Sequence, residues 1–103
     1  MGVQVRLTTT AATRPVLVPQ QHPAMRAAAR AVQRVWQVPP VLTRSGGSTP
    51  LVVELWHRLK MPTVLLGFGL PDDGAHAANE RLHLPTFFRV VETVVRFLEE
   101  YGA

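Results

Sequence analysis

Residues 62–80 read PTVLLGFGLPDDGAHAANE, an apolar run that ends in glycines and passes straight into a polar loop. A short continuous apolar run has the pattern of a strand buried on both faces of a parallel sheet. The segment that follows, residues 70–84, carries neither the helical nor the strand period and reads as a loop. In open α/β sheets ligands bind beyond the carboxyl ends of the strands, so this loop leaves the sheet where sites occur. Its chemically distinctive residue is His76, whose neutral imidazole is a good ligand for a divalent metal. The neighbours Ala75, Ala77 and Ala78 leave the ring sterically accessible. On spacing alone, a surface histidine with no partner is the favoured reading. Asp72 and Asp73, standing before Gly74, are ordinary turn chemistry.

Working outward, the other elements follow from period and punctuation. Upstream, VLT from Val41 reads as a short strand entering the loop RSGGSTP, residues 44–50. Pro50 opens a helix over residues 50–60, with Ser48 or Thr49 as its cap. Gly46 and Gly47 allow backbone N–H groups to approach a ligand closely, and the positive end of the helix points to the same place, so the loop suits an anion. The plainer alternative is a tight strand-to-helix turn with a capping serine. Further back, Pro23 starts a helix over residues 23–36, capped by His22. Its stripe of Ala24, Ala28, Ala31, Val32 and Val35 faces inward, and Pro39 and Pro40 stop it. Pro85 opens a last helix over residues 85–101 with Phe87, Phe88, Val91, Val94, Val95 and Leu98 inward. At the start, VQVRL alternates with the period of a half-buried strand.

Strands alternating with helices predict an α/β fold: parallel pairing, right-handed crossovers and helices on both faces of the sheet. Two or three strands do not make such a sheet, which predicts that further strands come from elsewhere in a longer polypeptide. A boundary falls near Pro19, dividing residues 1–18 from residues 19–103.

Composition narrows the function classes. With 47% apolar and 17% charged residues the chain has a globular balance. The net charge of +4 comes from ten arginines and one lysine against seven acids. Those arginines are spread from Arg6 to Arg96 without interleaved aromatics, so no nucleic-acid partner is expected. No apolar run approaches the ~20 residues of a membrane helix, and the opening lacks a signal-peptide pattern. Without cysteine there are no disulfides, thiolate sites or cysteine nucleophiles, and a cytoplasmic location is expected. His57 lies beside Arg58 and His83 has no motif match, so both read as structural or exposed, and Trp36 and Trp56 as core or subunit contacts.

RSGGSTP followed in order by VLLGFGLPDDGAHAANE resembles the end of the catalytic domain in the metallopeptidase family of carnosinases, aminoacylases and acetylornithine deacetylases. The carnosinase-like branch shows an R-E-G-G-S-I-P loop, then a strand, then H-S-x-N-E or H-x-P-N-E. The resemblance runs from about Val3 to the C-terminus. It implies the C-terminal part of a parallel-rich three-layer α/β/α zinc-peptidase domain over residues 19–103, preceded by one strand of the lid (dimerisation) domain within residues 1–18.

The resemblance also implies the chemistry. His76 becomes a terminal ligand to one of two divalent metal ions, zinc in the first instance with manganese or cobalt as alternatives. Arg44, Gly46, Gly47 and Ser48 become a substrate-binding loop, and Asn79 and Glu80 brace the ligand loop. The substrate would be a dipeptide or N-acyl amino acid and the parent a homodimer. The remaining ligands and the general base lie upstream in the family, so no catalytic residue is assigned in this chain. The chain alone is expected to be inactive, and a non-catalytic remnant or interaction module of the same fold is the alternative. For a shared site, the Ser48 hydroxyl and the His76 ring are expected within roughly 10 Å. Three positions depart from the pattern: Ser45 for glutamate, Thr49 for isoleucine, and Ala78 in the final motif. The first puts recognition of a free amino group in doubt.

Overall fold

The computed structural model describes residues 2–45 and 49–102. Among the described residues three helices form, α1 (Pro23–Trp36), α2 (Pro50–Leu59) and α3 (Leu84–Gly102), all where the sequence pattern placed them. Each has a local cause. Pro23 sits in the first turn of α1, where a missing N–H costs nothing, and the His22 ring accepts from the Ala24 N–H at 3.2 Å. His83 performs the same office for α3: its carbonyl accepts from the Phe87 N–H at 3.0 Å and its ring lies 2.8 Å from the Thr86 hydroxyl. At the other end of α1, Gln37 takes the left-handed conformation and its N–H returns to the Gln33 carbonyl at 2.9 Å. Lys60 ends α2 in the same conformation, and the Met61 N–H reaches the Leu55 carbonyl at 3.1 Å. This is the Schellman closure that satisfies the last carbonyls of a helix.

The α/β architecture is not formed: among the described residues there is no strand and no sheet, neither the parallel-rich three-layer arrangement nor the lid strand. Residues 3–7 form no regular secondary structure and are exposed, Val3 at 92% and Leu7 at 90%. Residues 41–42 and 64–68 likewise form no ladder. The reason is physical. A strand exists only where a neighbour satisfies its N–H and C=O groups, and periodicity within a segment carries no information about that neighbour. Residues 64–68 do keep a two-residue period: Val64, Leu66 and Phe68 are half-buried, while Leu65 and Gly67 face solvent. One side therefore lies against the molecule, not both. That side and the segment around Pro40 border one groove along Ala28, Val32 and Trp36 of α1.

The core is the α1–α3 contact. Ala24, Ala27, Ala28, Ala31 and Val32 are buried along α1, and small side chains allow the second helix to approach closely. The face α3 turns to α1 is not the expected one. Thr93 is fully buried, with Val90, Phe97 and Glu100 half-buried at helical spacing around it. Phe87, Phe88, Val91, Val94, Val95 and Leu98 are exposed instead, Phe88 at 65% and Leu98 at 62%. Arg30 and Arg34 of α1 reach Glu100 at 2.8 and 3.4 Å, fastening the far ends of the pair. Helix α2 touches neither of the others. The radius of gyration is 17.7 Å, against about 13 Å for a compact domain of this length.

Candidate functional site

His76 lies on a loop that closes on itself. The Leu70 N–H donates to Asp73 Oδ2 at 2.7 Å, and the Asp73 N–H returns to the Leu70 carbonyl at 3.1 Å. The Ala77 N–H donates to the Gly74 carbonyl at 2.8 Å, and the Arg81 N–H to the Asp73 carbonyl at 2.9 Å. An Arg81–Asp72 ion pair closes the outside. The acids before the glycine are thus turn residues, as their chemistry predicts. The second oxygen of Asp73, Oδ1, is turned inward with no hydrogen-bond partner among the described residues.

Three residues of the loop adopt left-handed backbone: Gly74 (φ 68°), His76 (φ 62°) and Asn79 (φ 59°). Glycine and asparagine enter this region at little cost, and a histidine there is uncommon enough to be informative. A Cβ on Gly74 would stand 3.9 Å from the Glu80 Cα, so the loop folds back until its two arms are in contact. The His76 side chain is exposed and makes no hydrogen bond or ion pair among the described residues. Asn79 and Glu80 are also exposed, and neither is bonded to the imidazole.

Of the substrate-loop residues, Arg44 is exposed in the segment after Pro40. Gly46, Gly47 and Ser48, and with them the expected closeness of Ser48 to His76, lie outside the described residues. Among the described residues no three His, Cys, Asp or Glu side chains come together to hold a metal ion. The donor set here fits one contributed ligand, not a complete site: three or four protein ligands are the rule for zinc.

What sequence reasoning missed is how the loop is attached. Trp36 at the end of α1 stacks on Phe68 with centroids 5.2 Å apart and an interplanar angle of 19°. The Arg89 guanidinium lies 4.2 Å from the Trp36 ring centroid and donates to the Val35 carbonyl at 2.8 Å. Trp36 Nε1 donates to Thr93 Oγ1 at 2.9 Å. The one available signal was a threonine inside the apolar run VVETVV, a polar residue on a helix face.

Comparison with known proteins defines the class. Residues 3–100 match the family described as Peptidase family M20/M25/M40, and the chain belongs to that family. The Cys-Gly metallodipeptidase DUG1 of Candida albicans is 41% identical over 76 residues, 74% of this chain and 16% of that protein. The protein of the same name from Saccharomyces cerevisiae is 37% identical over 76 residues, again 74% and 16%. That of Schizosaccharomyces pombe is 37% identical over 74 residues, 72% and 16%. The chain therefore spans about one-sixth of the length of the curated relatives it matches. No solved structure matches.

Proposed function

We propose that the polypeptide carrying this chain is a metal-dependent hydrolase of dipeptides or N-acyl amino acids, and that this chain supplies His76 as one terminal metal ligand. The observation that carries the reading is the exposed, unpaired imidazole held in left-handed backbone on a self-closed loop, in a chain of the M20/M25/M40 family. A dipeptide substrate is favoured because the relatives named above are Cys-Gly dipeptidases by name. Two divalent ions, zinc before manganese or cobalt, would activate water and polarise the scissile carbonyl when bound. The chain's own residues then have separate tasks. Arg44, with Gly46, Gly47 and Ser48, binds the substrate's anionic end at the start of α2, where backbone N–H groups and the helix dipole favour negative charge. Asn79, in left-handed backbone, and Glu80 stand on the ligand loop where they would brace His76 in the assembled site, and Ser45 leaves the site without an acid for a free amino group. Residues 1–18 close a lid (dimerisation) domain and residues 19–103 belong to the catalytic one.

A catalytic zinc takes three protein ligands, and among the described residues no three His, Cys, Asp or Glu come together to hold one. That observation also favours the second reading, a non-catalytic remnant or interaction module. The test is a pair of measurements. The full-length protein should hydrolyse dipeptides and bind two metal equivalents, with His76→Ala losing activity and weakening one of them, while the purified chain does neither. Unchanged metal content and activity in His76→Ala would overturn the assignment, and an inactive full-length protein with no bound metal would favour the remnant.

A further inference from the structure

The geometry points to Phe68 and Trp36 as positioning residues for His76, a role that rests on the reading of His76 as a metal ligand. The loop over residues 70–81 is a unit. Its bonds run between Leu70, Asp72, Asp73, Gly74, Ala77 and Arg81, and among the described residues its hydrogen bonds and ion pairs reach none of the three helices. A unit closed on itself moves as a body, so the place of His76 is decided by what holds the two ends.

On the carboxyl side the chain runs through His83, which caps α3. On the amino side it runs through Gly67-Phe68-Gly69. Neither glycine is confined: a Cβ on Gly67 would meet nothing within 4 Å, and one on Gly69 would meet only Asp73 Oδ2 at 4.0 Å. Glycines have the widest backbone freedom of any residue, so this approach would swing were Phe68 not fixed between them. Phe68 is fixed by its stack on Trp36. Trp36 in turn is over-determined by α3, through the Thr93 hydroxyl at 2.9 Å and the Arg89 guanidinium at 4.2 Å. Both ends of the loop are therefore referenced to α3, one through His83 and one through the stacked rings. Misplacing a reacting or ligating group by about 1 Å costs on the order of 100-fold in rate, which gives the aromatic stack a functional weight beyond its packing.

The test uses the full-length protein loaded with cobalt(II), whose visible spectrum reports ligand geometry, together with competition against a chelator. Phe68→Leu keeps apolar volume and removes the ring, Phe68→Tyr keeps the ring, and His76→Ala removes the ligand. The expected result is an altered cobalt spectrum and about 10–100-fold weaker metal binding in Phe68→Leu, with the far-ultraviolet circular dichroism unchanged and both metal properties restored in Phe68→Tyr. Wild-type spectrum and affinity in Phe68→Leu, with His76→Ala impaired, would overturn the positioning role and leave the ligand reading standing. An unimpaired His76→Ala would overturn both. Should Phe68→Leu fail to fold, Trp36→Phe decides, since it shrinks the ring on which Phe68 stacks and removes the N–H to Thr93: weaker metal binding in that folded variant supports the inference, and wild-type binding sinks it.

Discussion

Trp36 and Thr93, 57 residues apart in sequence, share a hydrogen bond of 2.9 Å from the indole Nε1 to the threonine hydroxyl, which itself donates to the Arg89 carbonyl at 2.7 Å. Thr93 is the one buried polar residue among those described, and both its donor and its acceptor capacity are used. Replacing it by valine keeps the shape and leaves the indole N–H without an acceptor. Such an unpaired group costs about 1–3 kcal/mol. Thr93→Val should therefore lower the urea midpoint measurably, and Thr93→Ser should recover most of the loss. Equal stability of Thr93→Val and the parent would mean that water replaces the lost partner.

Helix positions were legible because their signals are local: Pro23, Pro50 and Pro85 near helix starts, and apolar spacing within each run. Which face of α3 is buried was not. Its run FFRVVETVVRFL offers apolar residues on several sides, and the choice was made by α1, where Arg30 and Arg34 capture Glu100 and Trp36 captures Thr93. Sheet formation was illegible for a related reason, because the alternation over residues 64–68 survives without a ladder partner. At the candidate site, the Asp-Asp-Gly turn was readable from composition. The left-handed backbone of His76 and the stack of Phe68 on Trp36 depend on contacts no local pattern encodes.

Glu100 should give the α1–α3 contact an acid-sensitive component. The hydrogen bond from Arg30 is the largest cause holding its carboxyl below the ordinary glutamate range, with the charges of Arg30 and Arg34 adding to it. A depressed folded-state value means that the unfolded chain binds the proton more readily. The contribution is thus complete above the ordinary glutamate range and disappears as pH falls through the lowered value. Glu100→Gln should be less stable than the parent at neutral pH and equal to it in acid. A stability difference that stays constant across that interval would contradict the link, and high salt should shrink it because the partners are exposed.

Gly74 should resist substitution for a conformational reason. At φ 68° an L-residue meets its own backbone, at a cost of about 1–2 kcal/mol. A Cβ there would stand 3.9 Å from the Glu80 Cα, an ordinary contact, so no clash adds to the penalty. Gly74→Ala should accordingly destabilise the loop moderately, and Gly74→Asn less, since asparagine enters the left-handed region more readily. Hydrogen exchange at the Arg81 amide, whose bond to the Asp73 carbonyl closes the loop, would report the change. Unaltered exchange in Gly74→Ala would show that the loop tolerates a different turn.

The two faces of α3 make opposite predictions for the purified chain. Ala31 of α1 is fully buried, and a larger side chain there has no space to enter, so Ala31→Leu should cost about 1–3 kcal/mol through overpacking. Leu98 is 62% exposed, and substitutions at such positions usually stay within about 0.5 kcal/mol. Leu98→Lys should leave the unfolding midpoint nearly unchanged. It should also reduce self-association, because Phe87, Val91, Val95 and Leu98 form an apolar face that water does not favour. Unfolding followed by circular dichroism and size by light scattering separate the two effects. Were Leu98 inward, as the periodicity of α3 suggests, the lysine would instead bury a charge and destabilise the chain severely. A midpoint that collapses in Leu98→Lys while Ala31→Leu is neutral would therefore reverse the assignment of faces, and with it the account of why Trp36 finds Thr93.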